Sequence, residues 1–162
     1  MLHIAIAGHR TFASGQDVEN SIDLALNQLT RNHQPPWVVY SSLAEGADRL
    51  VLERLVAHNP AQLVVPLPLP ESDYIQDFQS TSSQKDFYHW FGLAHQVVRL
   101  PVLPRPFAYW LAGLYMLDHC DLLIAVWDGL SARAPGGTGD VVAEARRRAI
   151  PQVWIKAVPG PT

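Results

Sequence analysis

The sequence predicts an α/β fold with three α/β/α layers around a mainly parallel six-stranded sheet. Three observations carry this reading. Six short apolar runs alternate with amphipathic stretches of helical spacing along 162 residues. Several runs are continuously apolar, as strands buried on both faces are. Strands separated by helices imply right-handed crossovers, which make a parallel sheet with helices on both faces.

The elements follow in order. Leu2–Ala7 reads as the first strand, broken by Gly8-His9-Arg10. Asp17 caps a helix whose Val18, Ile22, Ala25, Leu26 and Leu29 share a face. Pro35-Pro36 stops it before the second strand, Trp37–Tyr40. Ser41–Gly46 leads into a helix burying Ala47, Leu50, Val51 and Leu55, which Asn59-Pro60 ends. Gln62–Val65 is the third strand. Glu71-Ser72-Asp73 opens a short helix with Tyr74, Ile75 and Phe78; with Asp77 these residues form either a lid over the sheet edge or a surface helix. The Ser80–Ser83 patch precedes a helix carrying Phe87, Trp90, Phe91 and Ala94. His95–Leu100 is the fourth strand. A helix presenting Phe107, Trp110, Leu111 and Leu114 runs to about His119. Asp121–Trp127 is the fifth strand, Thr138–Ala149 the last helix and Val153–Ile155 the last strand. The pattern is Rossmann-like, with 3-2-1-4-5-6 the expected strand order and a topological switch between strands one and four. Residues 1–157 are expected to form a single domain and 158–162 a C-terminal tail.

Composition narrows the function. A net charge of -3 and a pI near 6.1 predict no broad basic face, so nucleic acid is not expected as a partner. Cys120 is the only cysteine, which excludes an intramolecular disulfide and a multi-thiolate metal site. The seven histidines lack metal-site spacings, so neither metal nor cofactor is expected. No apolar run approaches the roughly 18 residues of a membrane span, and the N-terminus lacks a secretory pattern. The expectation is a soluble cytoplasmic protein.

Three loops, after strands one, two and five, should gather on one sheet edge. Gly8 allows close backbone approach to a ligand, and His9 and Arg10 supply a titratable ring and a cationic fork; the alternative is a plain turn with solvated side chains. In the second loop, Ser42, Glu45, Gly46 and Asp48 border a helix start whose N–H groups suit an anion. The bland alternative is a serine cap with acidic first-turn residues. In the third, Gly136, Gly137, Thr138 and Gly139 open the last helix beside the end of strand five. The ligand such a place suits is a nucleotide or another phosphoribosyl compound. N–H groups at Gly137–Gly139 would hold phosphate with Arg10 assisting, and Asp48, Asp128 or Asp140 would contact ribose. Asp140 and Glu144 also suit stabilisation of an oxocarbenium ion in N-glycosidic cleavage; alternatively both are helix-start carboxylates.

These motifs resemble the SLOG superfamily, which includes the LONELY GUY phosphoribohydrolases, formerly called lysine decarboxylases, and the DprA/Smf proteins. The resemblance rests on Ile6–Arg10, on Leu43–Asp48, and on Leu123–Gly129 with Gly136–Val142. It is closest to bacterial stand-alone or conflict-system members. It implies a Rossmann-like fold, a homodimer, and recognition of a nucleotide such as AMP or an ADP-ribose-like molecule. It also raises phosphoribohydrolase or deoxyribosyltransferase-like chemistry as the alternative. LONELY GUY enzymes carry Pro-Gly-Gly-x-Gly-Thr-x-x-Glu. Here Asp140 stands at the Thr position and Ala143 at the catalytic Glu, with Glu144 rotated about 100° around the helix.

Overall fold

The computed structural model describes residues 1–161. The strands are β1 (Leu2–Gly8), β2 (Trp37–Tyr40), β3 (Ala61–Leu67), β4 (Gln96–Arg99), β5 (Leu122–Trp127) and β6 (Gln152–Lys156). The helices are α1 (Val18–Asn32), α2 (Ala47–Val56), α3 (Glu71–Tyr74), α4 (Thr81–Gly92), α5 (Arg105–His119) and α6 (Thr138–Arg147), with a 3-10 turn at Ile75–Asp77. All six strands pair in parallel in one sheet.

Side-chain alternation along β1 builds the layers. Ile4 and Ile6 point to one face, with Val18, Ile22 and Leu26 of α1 and Val51, Leu52 and Leu55 of α2 in the same core. Ala5 and Ala7 point to the other, with Met116 and Leu117 of α5 and Val141, Val142 and Ala145 of α6. The small β1 residues leave room for this second layer to approach closely. Gly113 does the same between the two helices, since a β-carbon there would lie 2.9 Å from Val141 Cγ2. The Asp17 carboxylate caps α1 by accepting the Asn20 N–H at 3.0 Å.

The strand order is 4-3-2-1-5-6 rather than 3-2-1-4-5-6. β4 lies outside β3 as an edge strand, and β5 takes the place beside β1. The physical reason is burial: β4 is short and exposed at Gln96 and Arg99, whereas every residue of β5 is buried. Only the latter suits the middle of a sheet covered on both faces. The switch point therefore falls between β1 and β5, with Ile6 opposite Ile124 and Gly8 opposite Val126.

Two further expectations change. Tyr74 and Phe78 are core residues, not a lid or a surface helix: both are almost fully buried, and the Tyr74 ring meets Phe78 and Phe87 edge-on. α6 ends at Arg147, before Ala149, which adopts a left-handed φ of 57°. The Ile150 N–H then reaches back to the Ala145 carbonyl at 2.9 Å and the Ala149 N–H to Arg146 at 3.0 Å, a Schellman ending. Among the described residues no helix is long and apolar enough to cross a membrane.

Candidate functional site

A cavity of about 590 Å³ opens at the carboxyl ends of β1 and β5, within the size range of small-molecule sites. It lies at the topological switch, where open parallel sheets leave a crevice. Gly8, His9, Arg10, Ser42, Asp48, Gly136, Gly137, Thr138 and Gly139 all line it. Glu45, Gly46, Asp128, Asp140 and Glu144 do not, and each is occupied elsewhere.

The first wall is the loop after β1. A β-carbon at Gly8 would lie 2.4 Å from Ala47 Cβ and 2.6 Å from the Val126 carbonyl oxygen, so glycine is needed for close passage of strand and loop. The His9 N–H continues the β1–β5 ladder to Val126 at 3.0 Å. Its ring Nε2 accepts the Asp128 N–H at 3.1 Å, which leaves the ring proton on Nδ1. Burial is the main cause that holds the His9 pKa below its ordinary value, so the ring stays neutral at pH 7 despite Asp128 Oδ1 at 3.5 Å. Arg10 is exposed, with its guanidinium 5.1 Å from the centre of the Tyr109 ring.

The second wall is the loop after β2, where the chain uses most of its own polar groups. The Ser42 hydroxyl donates to the Pro66 carbonyl at 2.9 Å, and the Ser42 carbonyl accepts the Tyr74 hydroxyl at 2.8 Å. Gly46 has a left-handed φ of 80°, and the Ala47 N–H donates to the His9 carbonyl at 2.9 Å. The Ala44 N–H donates to Asp48 Oδ2 at 3.3 Å. This helix start therefore offers fewer open donors than its sequence suggests. Glu45 accepts the Ser83 hydroxyl at 2.9 Å and borders a separate shallow depression beside α4.

Asp48 is buried in the cavity wall. Burial pushes its carboxyl up to about 7, against the opposing pull of the Ala44 N–H, Arg10 and Arg49. Such a group exchanges its proton near neutral pH.

The third wall is the loop between β5 and α6. Its glycines let the chain fold on itself. A β-carbon at Gly139 would lie 2.4 Å from the Ala132 nitrogen, and Gly136 has a φ of 77°. The Asp140 carboxylate reaches back to the Gly136 N–H at 2.9 Å, as a capping carboxylate does. The Thr138 and Gly139 N–H groups, first in α6, make no hydrogen bond among the described residues. Both residues line the cavity, at the positive end of the α6 dipole. Asp128 is held by Arg133 at 2.7 Å and by the Leu130 N–H at 3.0 Å. Glu144 pairs with Arg147 at 2.6 Å and Arg148 at 2.8 Å, and those bonds hold its carboxyl down to about 2.

The sequence placed Asp77 in the candidate lid and did not single out Tyr109; both line the cavity. Four buried side-chain atoms lack a hydrogen-bond partner among the described residues, and two of them, Asp77 Oδ2 and the Tyr109 hydroxyl, belong to residues of the cavity wall. A buried polar atom left unpaired costs about 1–3 kcal/mol. Asp77 follows α3 in a short irregular turn, and Tyr109 sits beside the apolar stripe of α5. Spacing alone marks neither. Among the described residues no three His, Cys, Asp or Glu side chains gather into a metal-binding group.

The sequence matches no protein-family model and no curated protein. Solved structures do share the fold. DNA processing protein A from Helicobacter pylori, described for its single-stranded DNA binding mode, superposes with a TM-score of 0.61 at 15% identity. That match covers 94% of this chain, which spans 64% of the other's length. The molybdenum cofactor binding protein from Rippkaea orientalis gives a TM-score of 0.52 at 15% identity, covering 94% of this chain and 75% of that one. The class defined here is a parallel, three-layer Rossmann-like domain of the kind found in DNA processing protein A. These comparisons do not support the exclusion of nucleic acid drawn from net charge.

Proposed function

We propose that this chain binds a nucleotide or another phosphoribosyl compound in the cavity between β1 and β5. One observation carries the reading. The unbonded N–H groups of Thr138 and Gly139, at the positive end of α6, share a cavity with Arg10 and the buried Asp48. The first set suits an anionic ester, and the carboxylate suits the hydroxyls of a sugar. Thermal unfolding against AMP, ADP, ADP-ribose and other nucleoside monophosphates tests it. A ligand at 100-fold its dissociation constant is expected to add about 2.7 kcal/mol. Arg10→Ala is expected to weaken that ligand about tenfold without lowering the unliganded melting temperature, because Arg10 is exposed. A panel without any response would end the proposal.

A second reading, cleavage of an N-glycosidic bond, is favoured by the burial of Asp48 in the cavity wall and its carboxyl near 7. It gives Asp48, rather than Asp140 or Glu144, the role of proton donor to the departing base. Chromatography of a nucleotide incubated with the protein should then show free base. Asp48→Asn should abolish that release while sparing affinity; release that persists in this variant would remove Asp48 from the reaction.

A further inference from the structure

We infer that the cavity takes up its anionic ligand together with a proton, carried on Asp48. The inference rests on the nucleotide-binding reading above and adds its regulation by pH. Asp48 is only 7% exposed in the cavity wall, and its surroundings leave the charged form poorly supported. Its one hydrogen bond, from the Ala44 N–H to Oδ2, is long at 3.3 Å. Oδ1 makes none among the described residues, yet it is not one of the four sealed atoms, so a proton can reach it. The groups that face Asp48 are engaged elsewhere. The Arg49 guanidinium, from α2 itself, donates to the Leu43 carbonyl, to Ser83 and to Asp86. That of Arg10, from the loop after β1, lies over the Tyr109 ring. The Tyr74 hydroxyl, from α3, donates to the Ser42 carbonyl. A buried carboxylate without a paired cation is costly, and such a group keeps its proton instead.

The ligand's charge enters the same space. The N–H groups of Thr138 and Gly139 draw an anion into the cavity that Asp48 lines. Two negative charges in one cavity repel more strongly than they would in water, so an anion at α6 raises the cost of ionising Asp48. By linkage, the proton raises affinity for the anion by the same factor. The free carboxyl loses its proton at about 7. Above neutrality, binding must therefore draw a proton from solvent, and affinity falls as pH rises. Well below neutrality the proton is already in place. Two further groups of the wall leave this dependence to Asp48. Burial holds the His9 pKa below its ordinary value, so its ring is neutral above pH 7. Asp77 accepts from Arg105 at the start of α5.

Calorimetric titration of the wild type and Asp48→Asn with AMP and with ADP-ribose, at pH 7 and pH 8 in buffers of differing ionisation heat, counts the protons taken up. The wild type is expected to take up close to one proton per ligand at pH 8 and about half of one at pH 7. Its affinity should be about fivefold weaker at pH 8 than at pH 7. Asn resembles the protonated carboxyl, so Asp48→Asn is expected to take up no proton and to bind within about twofold of the wild-type affinity at pH 7, at both pH values. Binding by the wild type without proton uptake at pH 8 overturns the inference while leaving nucleotide binding intact, whether or not the variant folds. Uptake that persists in Asp48→Asn overturns it as well, since the proton then sits on another group. If neither ligand binds at either pH, the inference falls together with the reading beneath it.

Discussion

Replacing Gly46 with alanine should destabilise the protein by about 3 kcal/mol, seen as a lower urea midpoint with an unchanged slope. Two costs combine. A left-handed φ of 80° costs an L-residue about 1–2 kcal/mol. The added β-carbon would also lie 2.4 Å from the carbonyl oxygens of both His9 and Arg10, which are backbone and cannot swing aside. Gly15 supplies the control. Its φ is 84°, yet nothing lies within 4 Å of its β-carbon position, so Gly15→Ala should cost only the conformational part. Equal losses in the two variants would show that the β1 and β2 loops do not meet as described. The loop displaced in Gly46→Ala carries His9 and Arg10, so ligand affinity should fall with stability.

The second large effect is a gain. Asp48→Asn should stabilise the protein at pH 8 by about 4 kcal/mol at most and leave it unchanged near pH 4. The sign follows from which state holds the proton. In the unfolded chain the carboxyl ionises at its ordinary 3.8, and in the folded chain at about 7. Between those values the folded protein keeps a proton that the unfolded one has lost, so stability falls as pH rises through the window and is fully reduced above it. The interval sets the magnitude, at about 1.4 kcal/mol for each tenfold change in the ionisation constant. Asparagine fills the same space, and its side-chain oxygen still accepts the Ala44 N–H. Urea titrations of wild type and variant from pH 4 to 8 should therefore diverge as pH rises. Parallel curves would mean that Asp48 ionises normally and is not enclosed. A buried carboxyl that weakens the fold at neutral pH is the kind of group that proteins keep for a ligand or a reaction.

The features legible in the sequence were local ones. Leu122–Trp127 declares a buried strand because every residue in it is apolar, Gly8 marks the end of β1, and Gly46 and Gly136 mark sharp turns just before α2 and α6. The order of strands in the sheet is not written in periodicity. Gln96 and Arg99, at the two ends of β4, carried the clue that this strand belongs on an edge. The site divides in the same way. The three glycine-marked loops were legible, and residues from each line one cavity. Which polar group faces the cavity was not, because that depends on competition from neighbours. Asp128 and Asp140 are claimed by Arg133 and by the Gly136 N–H, both a few residues away. Asp77 and Tyr109 both line the cavity, and Arg105 at the start of α5 bridges to Asp73 and Asp77, a contact between segments far apart in sequence.

Amide spectra recorded during titration with AMP or ADP-ribose probe the account most directly, because they read the proposed anion-binding groups one by one. Saturable shifts are predicted at Thr138 and Gly139, accompanied by Gly8, His9 and Arg10 across the cavity, while α1 and the β4 edge stay still. Shifts confined to other surfaces, or spectra unchanged at millimolar ligand, would contradict it.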